Sequence, residues 1–118
     1  EPYVVTNMLF GPDNPRKGET LFAWVTGTAG WMFRAIVQYM AGFHPSYDSF
    51  TVSPCIPSQW KNVTLTRKFR NDTYKLTIKN ENGAQSGVKS LIVDGNVIDS
   101  NPVSHFRDGK THTVEVIM

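Results

Sequence analysis

Cysteine is almost missing: Cys55 stands alone among 118 residues, which excludes an internal disulfide and a thiolate metal cluster. Its setting, Ser53-Pro54-Cys55-Ile56-Pro57, has no neighbouring His to activate a nucleophile and predicts a buried structural thiol. No apolar run approaches the roughly 20 residues that cross a bilayer. The 12 basic and 10 acidic residues leave a net charge of +2 with no block of one sign. That balance argues against nucleic acid or an anionic membrane surface as a partner. His44, His105 and His112 are scattered, without metal-ligand spacing. The chain opens on Glu1 with no signal-peptide pattern and reads as an internal cut. Asn62-Val63-Thr64 and Asn71-Asp72-Thr73 match the glycosylation sequon, a pattern that chance readily produces.

Against these absences stands an apolar content of 40% with 12% aromatics, enough for a packed core. The pattern divides near residue 45. Residues 1–19 carry the breaker cluster Gly11-Pro12-Asp13-Asn14-Pro15 and predict a long ordered loop after an extended start at Tyr3-Val4-Val5. A helix follows from about Thr28 to Ala41, with Met32, Phe33, Ile36, Val37 and Met40 on one face and Gly42 as its stop. So apolar a face requires a partner layer of helices, and the chain supplies no second strong one. From about Ser49 the period falls to two. Tyr74, Leu76 and Ile78 share one strand face, opposite Lys75, Thr77 and Lys79, while Val114 and Val116 share another. Asp94-Gly95 between Val93 and Asn96 predicts a tight hairpin, and Asp108-Gly109 a further turn. Short strands with regular turns predict an antiparallel β-sandwich or jelly-roll-like module.

Chemistry concentrates in Trp24-Val25-Thr26-Gly27-Thr28-Ala29-Gly30-Trp31, where the loop becomes a helix. Free N–H groups and the positive end of the helix dipole favour an anion there. Glycine permits close backbone approach, and a threonine hydroxyl adds a donor. The residues alone favour the plainer reading, an N-cap by Thr26 or Thr28 with glycines that allow close helix packing.

Several motifs in fixed order carry a resemblance. They are Glu1-Pro2-Tyr3-Val4, Asn7-Met8, Gly11-Pro12-Asp13-Asn14-Pro15 and Trp24 through Met32. Tyr47-Asp48, Pro54-Cys55-Ile56-Pro57, Trp60, Thr66 through Arg70 and Thr73-Tyr74 continue the series. Together they resemble the carboxy-terminal end of inverting glycoside phosphorylases of glycoside hydrolase family 94, over about two-thirds of the chain, fading after about residue 80. That family includes cellobiose, cellodextrin and chitobiose phosphorylases and the phosphorylase-like region of cyclic β-1,2-glucan synthases. The resemblance implies an α+β chain: residues 1–45 as the end of an (α/α)6 barrel, and 46–118 as the β-sandwich module.

The resemblance also implies an activity for the parent protein. Inorganic phosphate, a co-substrate with no cofactor beside it, attacks the anomeric carbon of a β-glucoside and gives an α-sugar 1-phosphate. An Asp acid protonates the leaving oxygen, and phosphate replaces the activated water of an inverting hydrolase. Carried over by position, Thr26 and Gly27 match the phosphate-binding Thr-Gly pair. Asn7 falls where relatives carry an amide facing the sugar, often the longer Gln. The acid and further phosphate ligands lie upstream in the family, so the chain by itself is expected to be inactive. Its implied partners are a disaccharide or oligosaccharide, phosphate, the rest of the barrel and a second subunit. The expected location is the cytoplasm, or a membrane if the parent is a cyclic glucan synthase. The competing readings are a carbohydrate-binding β-sandwich, with Trp60, Arg67 and Arg70 as a sugar platform, and a purely structural module in which those residues pack at a domain interface.

Overall fold

The computed structural model describes residues 5–23 and 27–118. They form two compact units, residues 1–35 and 36–118.

In the first unit the breaker cluster becomes the tip of a hairpin. Strands β1 (Met8–Leu9) and β2 (Thr20–Leu21) pair antiparallel, Met8 opposite Leu21. The expected long loop is therefore closed at its base. Phe10 N–H donates to Glu19 O at 3.0 Å and Gly18 N–H to Phe10 O at 3.1 Å. Arg16 and Glu19 pair at 2.7 Å on the exposed side. The extended start assigned to Tyr3 and Val4 lies outside the described residues.

The predicted helix forms, but its winding changes halfway. Helix α1 spans Thr28–Arg34, and Ala35–Met40 continues as a π-helix. Ala41 N–H bonds Ile36 O at 2.9 Å, five residues back, which widens the last turn. Among the residues of the predicted apolar face only Val37 is buried; Met32, Phe33 and Ile36 are 44%, 49% and 47% exposed. Gly42 ends the helix at φ +74°, the left-handed conformation glycine reaches without a Cβ penalty.

The second unit is a two-sheet sandwich. A three-stranded sheet has the order β3-β4-β9, with β3 Phe43–Pro45, β4 Ser49–Val52 and β9 Val103–Ser104. A five-stranded sheet has the order β5-β6-β10-β7-β8. Its strands are β5 Asn62–Phe69, β6 Asp72–Lys79, β7 Ser90–Val93, β8 Asn96–Ile98 and β10 Thr111–Ile117. Aromatic rings join the sheets: Phe50 lies 4.7 Å and Phe43 5.6 Å from Tyr74, and Phe43 stacks on Phe50 at 5.0 Å. All three are 0% exposed.

The period-two reading holds in detail. Tyr74, Leu76 and Ile78 are buried, as are Val114 and Val116. Asp94 and Gly95 turn β7 into β8 with φ of +48° and +80°, the paired positive values of a type I′ hairpin. Two expectations need correction. The sheet is mixed rather than antiparallel, because β10 enters between β6 and β7 and runs parallel to β6, Val114 opposite Leu76. Alternation assigns a strand its buried face but not its neighbours, and β10 gains burial by taking the middle of the sheet. Cys55 is exposed rather than buried. It sits in an isolated bridge to Ser86, its N–H bonded to Met40 O at 2.9 Å, while the flanking Pro54 and Ile56 turn inward.

Gly42 carries a second constraint, since a Cβ there would stand 2.1 Å from the Ser53 carbonyl carbon and 2.3 Å from Pro54 N. Left-handed strain and backbone overlap together predict that Gly42→Ala destabilises the chain by about 3 kcal/mol. Urea unfolding of the two forms measures this; an unchanged midpoint would contradict the packing at that turn.

Candidate functional site

Two groups of residues bear chemistry. At the helix head, Gly27 is the residue before α1, exposed, with φ −83° and ψ 6°, and its carbonyl accepts from Trp31 N–H at 3.2 Å. That conformation is open to any residue. A Cβ at Gly27 would meet the Trp31 indole at 3.7 Å, an ordinary contact. Thr28 is the first helical residue and not the cap. Asn7 is exposed, just before β1. Thr26, Glu1 and Tyr3 lie outside the described residues.

The second group went unremarked in the sequence. Asp72, 1% exposed, opens β6 with its carboxylate turned inward. Arg107 N–H donates to its Oδ2 at 2.7 Å, Gly109 N–H to its Oδ1 at 2.9 Å, and the Tyr74 hydroxyl to Oδ2 at 3.1 Å. Burial raises its pKa, but these donors more than offset it and hold the carboxyl below its usual range. Burial, and then the bond to Asp72, pushes Tyr74 up to about 12. His105 Nδ1 lies 3.2 Å from the same hydroxyl and its Nε2 3.3 Å from Ser46 O.

His112 stands beside this group between two acids. Its Nδ1 is 2.7 Å from Asp94 Oδ2 and its Nε2 3.0 Å from Asp108 Oδ1, with Phe106 stacked on the ring at 3.8 Å. A neutral imidazole donates from one nitrogen only, so two carboxylates select the imidazolium. Burial pushes the His112 pKa down, but the hydrogen bonds to Asp94 and Asp108 carry it above its ordinary value of 6.5. Asp94 is held low first by His112 and then by Thr113 N–H, and Asp108 first by Lys110 N–H and then by His112. One potential ligand atom from each of Asp72, Asp108 and His112 falls within 4.8 Å of the others. Each of these side chains already holds the hydrogen-bond or ion-pair partners named above, so the group reads as a structural lock between the β7–β8 tip and the loop before β10.

One signal in the sequence could have found it. Asp72 shares the parity of Tyr74, Leu76 and Ile78, and His112 that of Val114 and Val116. Carrying each alternation one step back places both inside, and in the sheet His112 pairs with Tyr74.

Comparison with known proteins now bears on the helix-head segment. Residues 1–42 match the family described as the Glycosyl hydrolase 94 superfamily, catalytic domain. The whole chain is 59% identical to solabiose phosphorylase of Paenibacillus borealis, covering 15% of that protein. The chain belongs to the glycosyl hydrolase 94 family. N,N'-diacetylchitobiose phosphorylase of Vibrio furnissii is 36% identical over 85% of the chain and 12% of its own length. Cyclic beta-(1,2)-glucan synthase NdvB of Rhizobium meliloti is 28% identical over 77% of the chain and 3% of its own. The chain thus spans a small part of these family 94 relatives. Likeness to the first extends through residue 118, beyond the fading expected near residue 80. No helix among the described residues is long and apolar enough to cross a membrane.

The lock titrates with a defined sign. The raised His112 pKa adds stability that is complete below the unfolded value near 6.5 and is lost as pH rises through the folded value. The lowered Asp94 and Asp108 add stability that persists above their unfolded values near 3.8 and fades as pH falls through the folded ones. Stability from urea unfolding should therefore decline as pH rises above about 6.5, through the raised folded value of His112, and His112→Asn should flatten that slope. Equal slopes in the two proteins would rule out the imidazolium.

Proposed function

We propose that the parent protein is an inverting glycoside phosphorylase that uses inorganic phosphate to cleave a β-glucosidic disaccharide, releasing an α-sugar 1-phosphate. The observation that carries this reading is the catalytic-domain match over residues 1–42, the segment that contains Thr26 and Gly27. In it, Thr26 and Gly27 hold phosphate at the head of α1, where backbone N–H groups and a hydroxyl stabilise an anion without a counter-charge. Asn7 contacts the sugar. The segment before β3 completes the helical barrel, the sandwich that begins with β3 forms its terminal module, and a second subunit and a cytoplasmic location go with the assignment.

The reading leaves the isolated chain inactive. In the family resembled, the general acid Asp lies upstream of the motifs matched here, and of the acids in this chain Asp72, Asp94 and Asp108 are held below the normal carboxylate range, unsuited to carrying a proton near neutral pH. The acid then comes from the rest of the protein. Identity of 59% to solabiose phosphorylase, against 36% to the chitobiose enzyme, favours solabiose as the disaccharide. The synthase reading is weaker, resting on 28% identity.

Full-length enzyme incubated with phosphate and a panel of β-linked disaccharides should release sugar 1-phosphate, fastest from solabiose. Thr26→Val, which keeps shape and removes a donor, should raise the KM for phosphate by about tenfold. An unaltered phosphate KM would remove Thr26 from the site. Absence of any sugar 1-phosphate would overturn the activity.

A further inference from the structure

Four non-glycine residues among those described have a positive φ: Phe22, Arg70, Asp94 and Arg107. Asp94 is explained by its type I′ turn. Arg70 (+55°) and Arg107 (+57°) come from loops far apart in sequence, yet both line one pocket of about 300 Å³ together with Asn71. Arginine is a poor choice for such backbone, where glycine carries no Cβ penalty. Local structure enforces both conformations: Arg70 is the first residue of the two-residue β5–β6 hairpin turn, as Asp94 is of the β7–β8 turn, and Arg107 is tied through its N–H to Asp72.

Arg70 begins the two-residue connection between β5 and β6, flanked by the Phe69–Asp72 pair. Its guanidinium lies 5.2 Å from the Tyr47 ring centre and 5.5 Å from that of Phe69. No carboxylate among the described residues forms an ion pair with it. Arg107 is held in its left-handed conformation by the bond from its N–H to buried Asp72. Its guanidinium pairs with Asp48, whose side chain is 72% exposed, a surface pair that gives way at little cost. Two arginines and an asparagine thus line the pocket, with the Asp48 carboxylate paired to one of the arginines. Such a set matches the oxygens of a carboxylate or phosphate, which guanidinium groups bind in a bidentate way. The volume suits a ligand of about sugar-phosphate size.

We propose that Arg70, Asn71 and Arg107 form a binding site on the β-module for the oxyanion of a small ligand, a phosphate or a carboxylate. The site is separate in sequence from Thr26 and Gly27 and does not depend on their role.

The test is a titration of the isotope-labelled 118-residue chain, followed by amide chemical shifts at constant ionic strength. The probes are inorganic phosphate, glucose 1-phosphate, glucuronate and neutral glucose. Saturable shifts at residues 70, 71 and 107 with the phosphates, with glucuronate, or with both, but not with glucose, are expected, and the responding probe names the anion. Arg70→Gly keeps the turn, since glycine favours its φ, and should weaken binding by about tenfold or more without lowering the unfolding midpoint. Asp48→Asn, which frees Arg107, should tighten it several-fold. Failure to saturate with every anion, or saturation that survives Arg70→Gly, would overturn the proposal. Shifts confined to Gly27 and its neighbours would support the phosphate site at the helix head and count against this one.

Discussion

A carboxylate with 1% of its surface in solvent must be held by donors or give up its charge. Asp72 is held by three, two of them backbone N–H groups of the loop that leads into β10. Through those bonds one buried charge ties the start of β6 to the segment before the strand that pairs with it in parallel. The same loop, held through Arg107 and Gly109, presents Asp108 to His112 and Arg107 to the pocket it shares with Arg70. Parallel pairing, the imidazolium lock and the strained arginine all follow from where that carboxylate sits.

The aromatic core gives this polar group its leverage. Tyr74 touches Phe43 and Phe50 with its ring and Asp72 with its hydroxyl, so one side chain belongs to both networks. A fully satisfied polar group in an apolar core favours one packing over its rivals, because any shift strands a charge. The buried acid, Asp72, is held ionised by its donors.

Much of the fold was legible. Tyr74, Leu76 and Ile78 lie on the buried face their alternation required, and Asp94-Gly95 turns the predicted hairpin, because both signals are local. The helix near Thr28 was legible for the same reason, though its π-wound second half was not. The exposure of Cys55 escaped because its neighbours Pro54 and Ile56, not the thiol, point inward. The helix-head site rests on motif order, which geometry does not replace. The Asp72–His112 group was half visible in strand parity, but its partners come from loops whose meeting no short window encodes.

The amino-acid sequence by itself determined what depends on near neighbours along the chain: the helix, the strand faces, the tight turn and the family to which the motifs belong. Only the tertiary structure decided which strands lie side by side, which acids face His112, and that Arg70 and Arg107 converge on one pocket. The division has a physical cause. Periodicity records which way a side chain points, whereas a pairing or a shared pocket is settled by competition among all distant segments for burial and hydrogen bonds.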